Sequence, residues 1–317
     1  MRPYTIILLL SSALGTLPLG ASPFFVVNSS GQFGTIDEVT GSFHQIGSTR
    51  PVGSQGLVAE PGGGSFLTLN FDGNLARIDA STGAATLVGP TGLADCSFPP
   101  GSPCGPNSAF SLAELNGQVF ATDFSNNLYS VNPLTGAASL IGPTGIPSVP
   151  ATPLTFNPDG SFNFVDQSLF ASDGSLYATF DAGTFNPDTF VASEIISAAL
   201  YRIDPHSGIA SMIGPTRFSL TGATAANGVI YGFDFAGNII SLDLTSGATT
   251  DIGSFDPAAG LVTGAVATPE PASLVLTALG LIGIFTAPAN YRRHAGARRP
   301  ETRVWREHLR RGIQRMH

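Results

Sequence analysis

The 317-residue chain contains no lysine, only two cysteines and five histidines, and charged residues make up just 11% of it. Each scarcity removes a class of function. Without lysine a Walker-type phosphate loop is impossible, and no dinucleotide fingerprint is present either. His44 and His206 are the only histidines between residues 22 and 268, and neither has a second His or Cys at ligand spacing, which argues against a metal centre. No serine has the Gly-x-Ser-x-Gly setting of a hydrolase nucleophile. Basic residues are scarce where they would matter most for a polyanion. Residues 22–268 hold four arginines against nineteen acids, a formal −15, whereas nine of the 14 arginines lie from Arg292 onward. A body so acidic cannot neutralise phosphates, so nucleic acid and anionic membranes are not expected partners of that region.

What the chain has in quantity is glycine (38) and proline (24), as many short strands joined by tight turns require. One hairpin pattern recurs five times: Ile36-Asp37-Glu38-Val39-Thr40-Gly41, Ile78-Asp79-Ala80-Ser81-Thr82-Gly83, Val131-Asn132-Pro133-Leu134-Thr135-Gly136, Ile203-Asp204-Pro205-His206-Ser207-Gly208 and Leu242-Asp243-Leu244-Thr245-Ser246-Gly247. The Asx side chain can accept from nearby backbone N–H groups, and glycine takes the left-handed conformation that closes the loop. After each turn a second strand ends in an apolar residue and glycine: Ile46-Gly47, Val88-Gly89, Ile141-Gly142, Ile213-Gly214 and Ile252-Gly253. Pro90, Pro143 and Pro215 then stop three of these strands from gaining another ladder bond.

Two further strand-like pieces precede each of the later turns, giving four strands per unit. The Asx positions are 42, 53, 72 and 39 residues apart, two of the spacings matching a four-stranded propeller blade and two carrying insertions. One insertion surrounds Cys96 to Cys104. The other is split between Ile146 to Phe164 and Ala182 to Ser197. The first unit has room for only three strands, and the lone alternating segment Leu261 to Ala267 is expected to supply its fourth and close the ring. The expectation is an all-β chain, a β-propeller of five four-stranded blades; an open sandwich or β-helix would leave the edges that closure removes.

Asp72, Asp123, Asp181 and Asp234 recur near the turn between the second and third strands. They read as turn residues, with a ring of carboxylates for glycoside hydrolysis or Ca²⁺ binding as the alternative. Cys96 and Cys104, isolated in a Pro/Gly-rich loop, are expected to form one disulfide if the protein is exported. No cofactor is expected.

Both ends read as addresses. Arg2, the apolar run Ile6 to Leu10 and small residues up to Ala21 have the layout of a secretory signal peptide over residues 1–21, leaving residues 22–268 as the propeller. Beyond it, Pro269-Glu270-Pro271 precedes the apolar run Leu274 to Ala289, a candidate transmembrane helix, and then the flank Tyr291-Arg292-Arg293-His294. Residues 269–294 closely resemble the PEP-CTERM sorting signal of exported Gram-negative bacterial proteins. The resemblance implies recognition by an exosortase, cleavage near Pro269-Glu270-Pro271, a transient inner-membrane anchor, and delivery to the cell surface or extracellular matrix, often beside exopolysaccharide production. The chain departs from that family in its Arg-rich tail, residues 295–317. The repeat body loosely resembles bacterial propellers of unassigned function. The functional expectation is a surface-delivered, non-enzymatic matrix or binding protein with a glycan or surface-protein partner; a propeller hydrolase and a purely structural surface-layer component are the alternatives.

Overall fold

The structure is a computed structural model that describes residues 23–49, 54–61, 63–93, 109–147, 162–186 and 191–267. The signal segment, the Cys96 to Cys104 loop, and the sorting residues Pro269, Glu270, Pro271, Arg292 and Arg293 lie outside the described residues. No described helix is long and apolar enough to cross a membrane.

The described chain folds into five four-stranded antiparallel sheets, the five blades of a β-propeller. Blade 2 comprises β4 (Ser54–Ala59), β5 (Ser65–Asn70), β6 (Asn74–Asp79) and β7 (Ala85–Pro90), from the innermost strand outward. Blade 3 repeats this order with β8 (Ala109–Leu115), β9 (Gln118–Asp123), β10 (Asn127–Val131) and β11 (Ala138–Pro143). Blade 4 uses β12 (Phe162–Ser172), β13 (Ser175–Asn186), β14 (Val191–Ile203) and β15 (Ala210–Pro215), and blade 5 uses β16 (Leu220–Ala226), β17 (Val229–Asp234), β18 (Asn238–Leu242) and β19 (Thr249–Ser254). Blade 1 is made from both ends of the body. Its outer three strands are β1 (Phe24–Asn28), β2 (Gln32–Ile36) and β3 (Phe43–Ser48), while the last strand, β20 (Val262–Ala267), pairs antiparallel with β1 as the innermost. The expected closing strand is therefore the one observed.

Innermost strands pack on one another in ring order, β20 to β4, β8, β12, β16 and back. They approach closely because each presents a small residue at one level: Gly56, Ser111, Ser168, Gly222 and Gly264. A β-carbon on Gly264 would lie 2.5 Å from the carbonyl carbon of Gly56 and 2.7 Å from the nitrogen of Leu57. Ser111 uses its hydroxyl to accept from the N–H of Leu169 on the neighbouring strand at 2.9 Å. Hydroxyls stitch two further junctions, Thr221 donating to the carbonyl of Val262 and Thr263 to that of Ser54.

The core is divided among the junctions between blades. Val27, Phe33, Leu57, Phe66 and Ile78 fill the first; Leu67, Leu69, Leu75, Leu112 and Val119 fill the second. Phe120, Leu128, Leu169, Leu176 and Phe180 fill the third, and Leu200, Leu220, Ile230 and Leu242 the fourth. At the last, Tyr231 and Phe233 meet Phe24 at ring-centroid distances of 4.8 and 5.7 Å, so aromatic packing seals the seam between blades 5 and 1. Thr122 and Thr179 occupy the register position held by Val27, Leu69 and Phe233 in the other blades. Both are fully buried, and their hydroxyls have no protein hydrogen-bond partner.

Blade 4 departs from the expected insertion. The stretch from Ala182 to Ser197 is largely strand, β13 and β14 running on to Asn186 and from Val191 with two register shifts. A strand extension carries its own ladder bonds and needs no turn signal, so a hairpin motif could not reveal it.

Two stability outcomes follow. Gly264→Ala forces backbone apart at the ring and should cost roughly 1–3 kcal/mol, seen as a melting temperature lower by several degrees. Thr122→Val removes an unpartnered hydroxyl at nearly constant volume and should raise the melting temperature by a few degrees, on the order of 1 kcal/mol.

Candidate functional site

Antiparallel strands divide the turns between two faces of the ring. The Asx hairpins between third and fourth strands share one face, the hairpin face, with the turns joining first and second strands. Connections between blades and turns between second and third strands share the other. The described ends of the segments 94–108, 148–161 and 187–190 all belong to that connector face.

The Asx hairpins have the geometry their sequence implies. Asp37, Asp79, Asn132, Asp204 and Asp243 each accept, through their own carbonyl, the N–H of the glycine four residues on at 2.8–2.9 Å. Side-chain Oδ1 atoms accept from backbone N–H groups two or three residues ahead, as in Asp79 with Ser81 at 3.0 Å and Thr82 at 2.9 Å. Hydrogen bonds from the turn hold the carboxyls of Asp37, Asp79, Asp204 and Asp243 below the usual aspartate range. These carboxylates are committed to turns, and the recurring hairpin is framework.

The four aspartates considered for catalysis lie on four different blades. Asp123 and Asp234 are turn residues, as expected. Oδ1 of Asp123 accepts from Ser125 N and Asn127 N, while its Oδ2 accepts from Asn127 Nδ2 at 2.9 Å and Tyr129 Oη at 2.8 Å. Asp234 repeats the pattern with Ala236 and Asn238; burial pushes its carboxyl up, against the pull of those bonds. Asp72 is exposed in the turn after β5. Asp181 departs from the turn reading. It lies within β13, fully buried, and accepts the N–H of Leu220 at 3.0 Å, tying blade 4 to the inner strand of blade 5. In blades 1 and 2 the same turn position is held by asparagines: Asn28 accepts from Ser30 and Gln32, and Asn70 from Asn74. A search for carboxylates alone passes over them. His44 and His206 are exposed on β3 and a hairpin tip, and among the described residues no group of His, Cys, Asp or Glu could hold a metal.

One surface feature breaks the pseudo-symmetry. On the hairpin face of blade 4, Gly174, Ser175, Arg202, Asp204, Pro205 and Ile209 line a shallow groove of about 330 Å³. Arg202 is exposed and donates to the Ser175 hydroxyl at 2.9 Å. The other two described arginines are engaged differently: Arg77 forms a two-pronged ion pair with Glu60, at 2.6 and 2.7 Å, and Arg217 lies over the ring of Phe218 at 5.3 Å. That pairing holds the Glu60 carboxyl down. Sequence reading passed over Arg202 because its meaning depends on a comparison between blades that needs their register.

No protein-family model matches the chain, and no curated protein does. Solved structures with a similar fold include a nidogen/laminin complex, 12% identical over 78% of this chain and 99% of that one, with a TM-score of 0.46. A Bacteroides thetaiotaomicron protein of unknown function is 14% identical over 75% and 58%, TM-score 0.44. BamB from Moraxella catarrhalis is 13% identical over 75% and 71%, TM-score 0.32. These likenesses concern the chain path alone.

Two tyrosines give a test of the site's electrostatics. Burial, with the carboxylate of Asp123 for Tyr129 and of Glu38 for Tyr231, raises both phenols from 10.0 to about 12. Unfolded phenols ionise first, so the stability these groups contribute is complete below pH 10 and declines as pH rises towards 12. Burial raises the Tyr201 phenol as well, so an absorbance titration should show three late-ionising tyrosines, and Tyr231→Phe should remove one of them.

Proposed function

We propose that this chain is an exported, surface-delivered propeller that binds a glycan or a surface protein without transforming it, the role that the two terminal address segments and the repeat body suggest together. The single observation that carries the binding reading is the unevenness of the blades. The carboxylates of the recurring Asx hairpins are committed to framework bonds, whereas blade 4 presents the exposed guanidinium of Arg202 in a groove. A solvated cationic fork beside hydroxyl and apolar groups is suited to recognition, and the separation of the four aspartates on different blades gives no support to a paired-carboxylate hydrolase.

Delivery is supported by the residues Pro269-Glu270-Pro271, the apolar run and Arg292-Arg293. The propeller's own connections suit such a signal: Phe24 pairs with Ala267, so the chain enters and leaves the ring side by side on the hairpin face. Mass spectrometry of the surface form should find a C-terminus near Pro271; an intact Arg-rich tail on surface protein would overturn delivery by exosortase. Glycan-array and pull-down measurements with the full chain should return a ligand without turnover. Turnover of a polysaccharide or lactone would replace the binding reading with the hydrolase.

A further inference from the structure

The blades of a repeat protein are templates for one another, and blades 2 and 4 hold the same constellation with one member changed. In blade 2, Arg77 lies opposite Leu67, and Ser65 begins the same strand. In blade 4, Arg202 lies opposite Tyr177, and Ser175 begins the strand. Arg77 and Arg202, and Ser65 and Ser175, therefore occupy identical register positions. Blade 2 completes the set with Glu60, whose N–H pairs with the Ser65 carbonyl and whose carboxylate takes the Ser65 hydroxyl at 2.5 Å and both prongs of Arg77. The residue opposite Ser175 in blade 4 is Ser172. Its side chain carries a hydroxyl and no carboxylate, and the groove lies beside the serine and arginine that correspond to Ser65 and Arg77.

We propose that the groove on blade 4 binds the carboxylate of a uronic acid unit in an acidic polysaccharide, the ligand supplying to Arg202 and Ser175 what Glu60 supplies within blade 2. The proposal rests on the binding reading above and names its ligand class. A planar guanidinium fork matches a carboxylate in two-pronged geometry, and blade 2 shows this backbone framework holding that geometry. The remaining lining favours a sugar acid over an acidic peptide. Exposed Ile209 and half-buried Pro205 offer an apolar surface to the C–H face of a pyranose ring. Asp204 lies in the same lining and can accept from a sugar hydroxyl, a contact that a glutamate side chain, which has no hydroxyl, does not offer. A single arginine in an acidic body gives a weak contact, and the titration is run at moderate ionic strength, where repulsion between the body and an anionic oligomer is screened.

The test is a calorimetric titration of the full chain with an oligomer of galacturonic acid, set beside the neutral galactose oligomer and a glutamate-rich peptide. The galacturonate oligomer is expected to bind and the other two to fail. Arg202→Ala should weaken binding by roughly tenfold or more. Ser172→Glu is the sharper variant: it rebuilds the blade 2 arrangement, occupies Arg202 from within, and should abolish binding while the melting temperature holds or rises. Galacturonate binding that survives both variants, or preferential binding of the peptide, overturns the proposal. If the galacturonate oligomer does not bind but a neutral glycan does, this inference fails and the binding reading stands; if no glycan or surface protein binds, both fail.

Discussion

Everything in the body depends on how closely five inner strands can approach a common axis. A bulky side chain at one level of β4, β8, β12, β16 and β20 would push neighbouring backbones apart, and the chain answers with Gly56, Ser111, Ser168, Gly222 and Gly264. The narrowness of the ring sets the angle between blades, and that angle decides which residues meet at each junction. The larger aromatic and aliphatic side chains take the space that widens outward, as Phe24, Tyr231 and Phe233 do at the seam. Close packing near the axis and bulk farther out are thus one constraint seen at two radii.

Order along the rim is kept by a second repeated device. Thr49, Thr91 and Thr144 follow the outer strands of blades 1 to 3, and each turns its N–H and its hydroxyl onto the same carbonyl in the turn between second and third strands: Gly31, Gly73 and Asn126 respectively. Thr91 and Thr144 then offer their own carbonyls to Ala138 N and Ala210 N of the next blade. In blade 4 the hydroxyl of Thr216 instead reaches Asp181 at 3.5 Å. The substitution of a buried carboxylate for a turn carbonyl accompanies the extension of β13 through that point. One change in strand length therefore alters the hydrogen-bond partner, the blade contact and the local polarity together.

Much of this was legible in the residues, for physical reasons. A hairpin with Asx, Thr and Gly at fixed offsets announces itself because each residue type serves one backbone bond, and five copies set the blade count. The lone segment before Pro269 announced closure because a three-stranded first unit leaves an edge to be paired. Asn28 and Asn70 were missed because a search for charge does not see an amide performing the same turn. Asp181 was misplaced because Asp181-Ala182-Gly183 looks like a turn when the strand in fact continues. Arg202 was invisible for a deeper reason: its significance is a missing partner. The registers of β5 with β6 and β13 with β14 make Arg77 and Arg202 counterparts, and the pairing of Glu60 with Ser65 and of Ser172 with Ser175 does the same for Glu60 and Ser172.

The pairing of Phe24 with Ala267 also sets a timetable. A chain made from its N-terminus can complete blades 2 to 5 in order, each from strands close in sequence, but blade 1 must wait with the inner edge of β1 open until the last strand arrives. Ring closure is then a late event of the longest possible sequence separation, and such contacts form slowly because the loop they close is nearly the whole body. Whatever carries or handles the unfinished chain meets four blades and one unpaired edge, so the body's vulnerability to misassembly is concentrated in time, at the interval before β20 docks.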